Sequence, residues 1–299
     1  MPGRVHQRVD SAIGWIVFDH PERRNALTPE MWGEFVLALR RHASDERVRV
    51  IVLRGAGEKA FVSGADISTF SVDSASSVRV DGEASVRVDG EASVRVDGAA
   101  SVRVDGAASV RVDGAATSAQ LSSDGGNAFA ELERIEKPVL AMIHGPCIGG
   151  GLAVALLADL RYAADDAQFA IPAARLGVGY DLGGVAALEA VVGPSRAKEV
   201  LFTAARYGAA EALAMGLVDR VLPKAELESF VREQAARIAG NAPLTVKSVK
   251  IISRELRRPP AERDLAAVRR AVAACFASSD FGEGVRAFLE KREPAFSGR

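Results

Sequence analysis

The segment that most constrains the fold is HGPCIGGGLA, residues 144–153, because it joins a strand to a helix through three consecutive glycines. An apolar run of strand length, VLAMI, precedes it, and an apolar stretch of helical length follows it. A helix N-terminus carries unpaired backbone N–H groups and the positive end of the helix dipole, and glycines there let a ligand oxygen approach closely. The same pattern is also typical of a helix packed closely on a strand. The segment therefore predicts a strand–turn–helix unit and leaves open whether the turn binds a ligand.

The first 70 residues predict two strands with a helix between them. The strands are the β-branched runs Ile13–Asp19 and Val48–Arg54. Thr28 is a suitable N-cap for the helix, and Pro29 is a suitable first residue. The apolar positions of this helix recur at helical spacing and predict one buried stripe, made of Met31, Phe35, Val36 and Leu39. A second glycine-containing turn, KAFVSGADI at 59–67, follows the second strand.

The second half of the chain predicts strands first and then helices. A helix beginning near Asn127 leads to the strand before the triple glycine, and LRYAADDAQFAIP at 160–172 has the pattern of a strand. After Gly193 the pattern is helical, and the predicted helices are 195–204, 209–215, 225–239, 243–257, 261–277 and 281–291. We therefore predict an α/β core over 1–224 that is rich in ββα units, and a C-terminal helical region over 225–299.

Residues 77–116 consist of five copies of an octapeptide, SVRVDGEA twice and SVRVDGAA three times. The Val-Arg-Val part of each copy could pair as a short strand, and Asp-Gly is a favourable turn, so a stacked β-arrangement is one interpretation. Each copy has only two valines to bury, which hardly offsets a backbone ordering cost of about 1–2 kcal/mol per residue. We therefore expect an expanded, mobile insert of low complexity in a surface loop of the core.

Charge and composition exclude several classes of function. The chain has 38 Lys and Arg against 39 Asp and Glu, so it has no global field to attract nucleic acid or an anionic membrane. Its two cysteines, Cys147 and Cys275, predict no disulfide framework, and with four histidines they predict no metal site. Neither a leader at the N-terminus nor an apolar stretch of membrane-spanning length is recognisable. We expect a soluble, reduced, cytoplasmic protein without a bound metal.

The two glycine segments, in this order, resemble those of the enoyl-CoA hydratase/isomerase (crotonase) superfamily. The resemblance covers nearly the whole chain outside the repeats and includes HPERRNALTPEM, VRVIVLRGAGEKAFVSGADI, the triple-glycine helix, AQFAIPAARLGVGY, AKEVLFTAARYGAAEALAMGLVDRVLP and FLEKREPAF. It implies a crotonase (ClpP-like) spiral of ββα units with a C-terminal helical trimerisation region. It also implies a homotrimer, or a hexamer formed by two trimers, that binds an acyl-CoA thioester.

The resemblance places an oxyanion hole at the backbone N–H groups of Ala65 and Gly150. Donors fixed there would stabilise the negative charge that a thioester oxygen gains in an enolate, and one such donor can contribute about 10²–10³ in rate.

Coenzyme A, as part of the substrate rather than a separate cofactor, is expected near Arg23, Arg24, Ala26, Ala65, Asp66, Ile67, Phe288 and Lys291. Arginine suits the phosphate contacts because its guanidinium binds phosphate in a bidentate manner. Asp66 is expected to brace the turn rather than to take part in chemistry.

The chain departs from the hydratases of this family at both acid–base positions. Where those enzymes carry two glutamates, it has Ala153 and Ala173. Each such group typically contributes about 10²–10⁴ in rate, so the two-glutamate hydration mechanism is not available. Tyr180 and Asp181 stand where hydratases usually have Pro-Gly. These positions resemble those of an active-site tyrosine in methylmalonyl-CoA decarboxylase and of the catalytic aspartate in dienoyl-CoA isomerases.

These departures favour isomerisation or decarboxylation, with Asp181 as the proton carrier and Tyr180 as a hydrogen-bond donor. Isomerisation needs only one proton carrier, and decarboxylation needs mainly a stabilised enolate. Two alternatives stay open: Asp181 caps the following helix while Tyr180 packs, or the protein binds acyl-CoA without catalysis. His144 at the strand end is expected to be structural, and Cys147, with no activating base nearby in sequence, is expected to be a small packed residue.

Overall fold

The computed structural model describes residues 2–65, 77–80, 84–87, 93–97, 101–105 and 127–299. The chain divides into two compact units, one made of Met1–Ala65 with Ala128–Arg299 and the other of Asp66–Asn127. Among the described residues, the first unit contains a six-stranded and a three-stranded sheet, and the second contains two antiparallel strand pairs. No helix among the described residues is both long and apolar enough to cross a membrane.

The strands are numbered along the chain. In the first unit they are β1 (Arg4–Asp10), β2 (Ile13–Asp19), β3 (Val50–Gly55), β8 (Val139–Ile143), β9 (Pro146–Ile148), β10 (Leu160–Ala164), β11 (Gln168–Ala170), β12 (Tyr207–Gly208) and β13 (Arg220–Leu222). In the second unit they are β4 (Ser77–Val80), β5 (Ala84–Arg87), β6 (Ser93–Asp97) and β7 (Ser101–Asp105).

The helices follow the same convention. They are α1 (Pro29–Ser44), α2 (127–134), α3 (Gly150–Leu156), α4 (Ala173–Leu176), α5 (Leu182–Val192), α6 (Pro194–Thr203), α7 (Ala209–Ala214), α8 (Lys224–Gly240), α9 (Pro243–Arg257), α10 (Leu265–Ala277) and α11 (Ser279–Glu290). The described residues also include the short 3₁₀ helices Pro21–Arg23 and Pro260–Glu262.

The six-stranded sheet has the order β1-β2-β3-β8-β10-β13, and only its β1–β2 pair is antiparallel. Helices cover both of its faces. Trp15 belongs to a buried cluster with Val231 of α8, whereas Phe18 lies against Phe35 of α1 with their ring centroids 5.1 Å apart. Because both faces are covered, the central strands are apolar along nearly their whole length, as in β8, where every residue is buried.

Helix α1 begins as the sequence predicts and buries a slightly different stripe. The Thr28 side chain accepts a hydrogen bond from Met31 N at 3.4 Å, with Pro29 as the first helical residue. The buried positions are Met31, Trp32, Phe35, Ala38, Leu39 and His42. Val36 was expected in the stripe but is only half-buried, because it lies about 100° around the helix from Phe35, at the edge of the buried face. Full burial of one large apolar side chain contributes about 1.5–3 kcal/mol, so this face anchors the helix to the sheet.

Most of the predicted elements of the first unit are confirmed, with corrections at turns. The strand at 13–19 is confirmed as β2, and the helices after Gly193 are confirmed to within a few residues. The segment 160–172 is two strands rather than one, because the chain turns at Asp165 and Asp166. The helix predicted over 261–277 begins at Leu265, since Pro260–Glu262 forms a 3₁₀ helix instead.

The octapeptides of the second unit form paired strands in the residues that the structure describes. β4 pairs with β5 in antiparallel fashion, with Val78 opposite Val86, and β6 pairs with β7, with Val94 opposite Val104. The described parts of the first four octapeptides thus form two separate strand pairs. The stacked arrangement and the mobile loop both stay predictions, because the rest of residues 77–116 lies outside the described residues.

Candidate active site

The two glycine segments run side by side. Val62 N donates to Pro146 O at 3.2 Å, Ile148 N donates to Val62 O at 2.9 Å, and Val62 pairs with Cys147 as a parallel bridge. A Cβ on Gly151 would lie 2.3 Å from Val62 O, a distance that no side chain tolerates. The glycine at 151 is therefore what allows the helix start to lie directly on the first segment.

Both segments turn sharply just before the two residues expected to form the oxyanion hole. Gly64 has φ +117° and Gly149 has φ +52°, in the left-handed region that favours glycine. Neither Ala65 N nor Gly150 N has a backbone acceptor among the residues that the structure describes. A Cβ on Gly150 would lie 3.9 Å from Ala65 N, so the turn brings that N–H group beside the start of α3.

The segment carrying Arg23 and Arg24 lies against the first glycine segment. Ser63 N donates to Arg24 O at 3.1 Å, the Ser63 hydroxyl donates to Arg23 O at 2.9 Å, and Leu27 N donates to Gly64 O at 2.8 Å. Both arginine side chains are exposed. The structure thus brings the backbone of Arg23 and Arg24 next to the Gly64 turn and leaves both side chains exposed.

Asn25 holds that segment in place from the interior. Its side-chain Nδ2 donates to Ala60 O at 2.8 Å and to Ala56 O at 3.1 Å, and its Oδ1 accepts from His20 N at 2.9 Å. Asn25 is a positioning residue that the sequence analysis missed, although an asparagine with φ +58° in a turn has a recognisable signature. The neighbouring Ala26, expected near coenzyme A, is buried.

Two of the remaining residues expected near coenzyme A, Phe288 and Lys291, lie in the C-terminal helical region. Phe288 is 84% exposed on α11, and Lys291 ends that helix in the left-handed conformation. Helix α11 packs against α10, in the C-terminal helical region. Asp66 and Ile67 lie outside the described residues.

The helix beginning at Gly150 carries no ionisable group. Its sequence is GGLAVAL, and Ala153 is buried within it. Ala173 is the first residue of α4, where the second glutamate of the hydratases would stand. The side chains at both positions therefore offer no proton donor or acceptor.

Tyr180 and Asp181 lie at the start of α5, which packs against α3. Asp181 is exposed and caps α5, with Oδ1 accepting from Gly184 N at 2.6 Å. The Tyr180 ring packs on the same turn, where a Cβ on Gly184 would lie 2.5 Å from its Cε1. Burial, together with the adjacent Asp181 carboxylate, raises the pKa of Tyr180 to about 12. These contacts are those of the structural alternative, in which Asp181 caps α5 and Tyr180 packs.

His144 and Cys147 are buried beside the turn. Burial, assisted by Arg54 and Lys224, lowers the pKa of His144 to about 4, so its imidazole is neutral at physiological pH. Its Nε2 has no hydrogen-bond partner among the described residues. Burial also raises the pKa of the Cys147 thiol, which keeps it protonated and unreactive.

Trp32 lies at the turn and was missed by the sequence analysis. Its Cζ2 would be 3.5 Å from a Cβ on Gly150, closer than Ala65 N. The ring is 3% exposed and meets Phe129 edge to face, with centroids 5.5 Å apart. In the sequence, Trp32 stands out only as a tryptophan next to Met31, the first residue of the apolar stripe. A tryptophan at such a position is more often a core residue than part of a site.

Sequence comparison identifies enzymes that resemble this chain. The family model described as enoyl-CoA hydratase/isomerase matches residues 8–82 and 107–299. A carnitinyl-CoA dehydratase of Escherichia coli strain K12 is 31% identical over 305 residues, which cover 100% of both chains. A short-chain-enoyl-CoA hydratase of Clostridium acetobutylicum is 30% identical over 95% of this chain and 94% of its own.

Solved structures resemble the chain to a similar degree. An enoyl-CoA hydratase from Bacillus anthracis superposes with a TM-score of 0.81 at 26% identity, covering 99% of this chain and all of that one (100%). An enoyl-CoA hydratase/carnithine racemase from Magnetospirillum magneticum gives a TM-score of 0.79 at 28% identity, covering 99% and 96%. The chain therefore shares the overall fold of these proteins.

Proposed function

The chain belongs to the enoyl-CoA hydratase/isomerase family, and we propose that it stabilises the enolate of an acyl-CoA thioester with the backbone N–H groups of Ala65 and Gly150. The observation that carries this proposal is the position of Ala65 N, 3.9 Å from where a Cβ on Gly150 would lie. Donors held by the backbone need no reorganisation when negative charge develops on the thioester oxygen. The names of the relatives, a carnitinyl-CoA dehydratase and a short-chain-enoyl-CoA hydratase, support an acyl-CoA substrate.

Coenzyme A enters this site as part of the substrate. We assign its phosphates to Arg23 and Arg24, because both side chains are exposed beside the Gly64 turn and guanidinium groups bind phosphate well. The family resemblance adds Ala26, Asp66, Ile67, Phe288 and Lys291 as further contacts. The buried position of Ala26 limits its contribution to shaping the turn.

In the proposed isomerisation, Asp181 transfers one proton between two carbons of the acyl chain. Its carboxylate removes a proton from a carbon of the acyl chain, the electron pair of that C–H bond passes into the enolate, and the same proton returns to a different carbon. The capping bond engages Oδ1 and orients the carboxylate, which leaves Oδ2 for this transfer. Tyr180 remains protonated at neutral pH because its pKa is about 12, and so it donates a hydrogen bond to a polar group of the substrate.

Decarboxylation is the second reaction that this side-chain set supports. A malonyl-type thioester would lose carbon dioxide, leaving its bonding electrons in the same enolate, which then takes a proton from solvent or from Asp181. The observation that favours both reactions over hydration is the absence of carboxylates at Ala153 and Ala173. Hydration would need a water held by other groups.

The function is tested by measuring binding and turnover on the full-length chain. We expect CoA thioesters to bind and at least one enoyl-, dienoyl- or malonyl-type thioester to turn over. Asp181→Asn should abolish turnover while leaving thioester affinity nearly unchanged, because the amide keeps the cap but cannot accept the proton. Binding of thioesters without turnover of any of them would contradict the enzyme assignment, and an active Asp181→Asn variant would exclude Asp181 from the mechanism.

A gain-of-function variant tests the missing carboxylates. Ala153→Glu combined with Ala173→Glu should confer crotonyl-CoA hydration if those two groups are all that separate this chain from a hydratase. A matched variant with Gln at both positions controls for the added volume. Equal hydration by the Glu and Gln variants would contradict this explanation.

We also propose that the chain forms a homotrimer, or a hexamer of two trimers. The support is an exposed apolar surface on the last two helices, formed by Phe276 (65% exposed), Phe281 (51%), Phe288 (84%) and Leu289 (74%). Together with α9 this surface borders an apolar groove of about 580 Å³. Apolar patches of this kind usually mark protein–protein contacts.

A further inference from the structure

Arg24 and Asn25 are adjacent in the chain, and both have a left-handed backbone conformation although neither is glycine. Their φ angles are +51° and +58°, and no other two adjacent non-glycine residues share this conformation in the part of the chain that the structure describes. Non-glycine residues rarely adopt it, and they keep it only where their surroundings hold them there. Asparagine tolerates it better than arginine does. The pair therefore marks a turn that specific contacts must hold in place.

The side chain of Asn25 supplies these contacts with its whole amide. It is 1% exposed, both hydrogens of Nδ2 are used by Ala56 O and Ala60 O, and Oδ1 accepts from His20 N. A Cβ on Gly55 would lie 2.6 Å from Nδ2, so the amide fills the space beside bare backbone. Asn25 thus ties the turn to the residue at which the first glycine segment becomes buried, Ala60.

The neighbours of Asn25 hold the other end of that segment. Ser63 N donates to Arg24 O at 3.1 Å, and Leu27 N donates to Gly64 O at 2.8 Å. Leu27 also pairs with Ala65 as a parallel bridge. Residues 60–65 are therefore attached at both ends to the turn at 24–25, and the direction of the Ala65 N–H group depends on the conformation of that turn.

We propose that Asn25 positions the Ala65 N–H group for the thioester oxygen, acting through the turn rather than by touching the substrate. The inference rests on the proposed function, because Ala65 is one of the two donors assigned there. A donor displaced by about 1 Å loses more stabilisation in the transition state than in the ground state, since the charge on the oxygen is largest in the transition state. Removal of Asn25 should therefore lower kcat far more than it weakens thioester binding.

The first test uses Asn25→Gly, because glycine keeps the left-handed turn and removes only the amide. For the enoyl-, dienoyl- or malonyl-type thioester that the wild-type protein turns over, kcat should fall by about ten- to a hundredfold. The Kd of butyryl-CoA, measured by isothermal titration, should change by less than about threefold. Ser63→Ala removes the hydroxyl bond to Arg23 O on the same link, and should lower kcat by about two- to tenfold even if Asn25→Gly folds poorly.

The carbonyl band of a bound thioester reports the alignment of the donor directly. Hydrogen bonds to the thioester oxygen weaken its C=O bond. Butyryl-CoA labelled with carbon-13 at this carbonyl should therefore show its infrared band at lower frequency on the wild-type protein than in water. On Asn25→Gly the band should return by about half or more toward its position in water. A residue that only stabilised the fold would leave the band unchanged in the molecules that remain folded.

Arg161 provides a matched control away from the two glycine segments, because it too is a buried side chain that bridges backbone carbonyls. It is 8% exposed, and it donates to Leu217 O at 2.9 Å and to Ala158 O at 2.7 Å. Arg161→Met should lose stability, since it leaves these carbonyls unpaired, while it keeps kcat and the bound carbonyl band.

The proposal is overturned if Asn25→Gly keeps the wild-type kcat and carbonyl band, or if it weakens butyryl-CoA binding as much as it lowers kcat. It is also overturned if Arg161→Met shifts the band and kcat to the same extent, because the effect would then follow from lost stability alone. If the wild-type protein does not bind butyryl-CoA, or binds it without a shift of the carbonyl band, the proposed function itself fails, and that result is distinct from the others.

Discussion

Gly150 and Gly151 are adjacent in the chain but are needed for different reasons. A Cβ on Gly150 would make ordinary contacts, the nearest at 3.5 Å, whereas a Cβ on Gly151 would lie 2.3 Å from a backbone oxygen. Gly151 is therefore required by packing. Gly150 is required only if something else must occupy the space beside Ala65 N.

This difference predicts opposite results for two alanine variants. Gly150→Ala should unfold at the same or a slightly higher temperature, because alanine favours helix by up to about 1 kcal/mol, but should lose at least about tenfold in thioester turnover. Gly151→Ala should be destabilised by several kcal/mol, as expected when a methyl group meets backbone. Thermal unfolding and a turnover assay on both variants check this. A fully active Gly150→Ala protein would remove Gly150 from the proposed site.

His144 makes the stability of the fold depend on pH. Its pKa is lowered to about 4 in the folded state from an ordinary value of 6.5, mainly by burial. Between these values the unfolded chain binds the proton and the folded chain does not, so stability is present above pH 6.5 and is lost as the pH falls toward 4. The loss attributable to this residue is about 3 kcal/mol.

We expect His144→Gln to reduce this pH dependence. Urea unfolding of the wild-type and variant proteins at several pH values between 8 and 4 would measure it. The variant can be less stable at every pH because of altered packing, so the diagnostic quantity is the slope of the unfolding free energy below about pH 6.5. Identical slopes for the two proteins would show that His144 does not titrate in this way.

At the scale of one element, the Asp181 carboxylate at the start of α5 caps that helix and is also the proposed proton carrier. Loss of an N-cap typically costs about 1 kcal/mol, so Asp181→Ala should lower the unfolding free energy by that amount, and Asp181→Asn should lower it by only a few tenths. Asp264 is a matched control, because it caps α10 by accepting from Ala267 N at 2.8 Å. Asp264→Ala should cost a similar amount of stability without changing turnover. A loss of turnover in Asp181→Ala that Asn restores would assign Asp181 to capping alone.

The exposed apolar side chains of α10 and α11 predict where copies of the chain meet. Phe276→Asp combined with Leu289→Asp should convert the proposed trimer or hexamer to monomer, because each charge would be buried in the interface. Leu37 of α1 is 52% exposed, and Leu37→Asp serves as the control that should leave the assembly unchanged. Size-exclusion chromatography with light scattering measures the mass. A wild-type monomer, or an oligomer that tolerates both aspartates, would exclude this surface as the interface.

At the scale of the whole molecule, periodicity and glycine spacing were enough to predict most of the first unit. Strand β2 and the Thr28 cap of α1 were predictable because burial pattern and capping are local properties of the sequence. The 3₁₀ helix at Pro260–Glu262 and the half-buried Val36 were not, since they depend on how neighbouring elements pack.

The site was predictable only in its backbone. Glycines with positive φ leave a clear signature, so the turns before Ala65 and Gly150 could be located from sequence. Which side chains surround those turns depends on contacts between distant segments. That is why the indole of Trp32, more than a hundred positions from Gly150, and the bridging amide of Asn25 became visible only in the folded chain.

The division of the chain into two units yields a last prediction, that the repeats can be removed without unfolding the rest. The six-stranded sheet and its buried clusters are made entirely of residues in the first unit, Met1–Ala65 with Ala128–Arg299. Shortening a connection between fixed ends changes the free energy of unfolding only logarithmically, by about 1 kcal/mol for this length. Deletion of residues 77–116 should therefore shift the melting temperature of the first unit by no more than about 2–4 °C.

Replacement of the same residues by a Gly/Ser segment of equal length separates the effect of length from that of sequence. Differential scanning calorimetry measures both variants, and a drop of more than about 10 °C in either would show that the octapeptides stabilise the first unit. Turnover of thioesters of increasing chain length by the deletion variant would then show whether the repeats also influence which acyl groups are accepted.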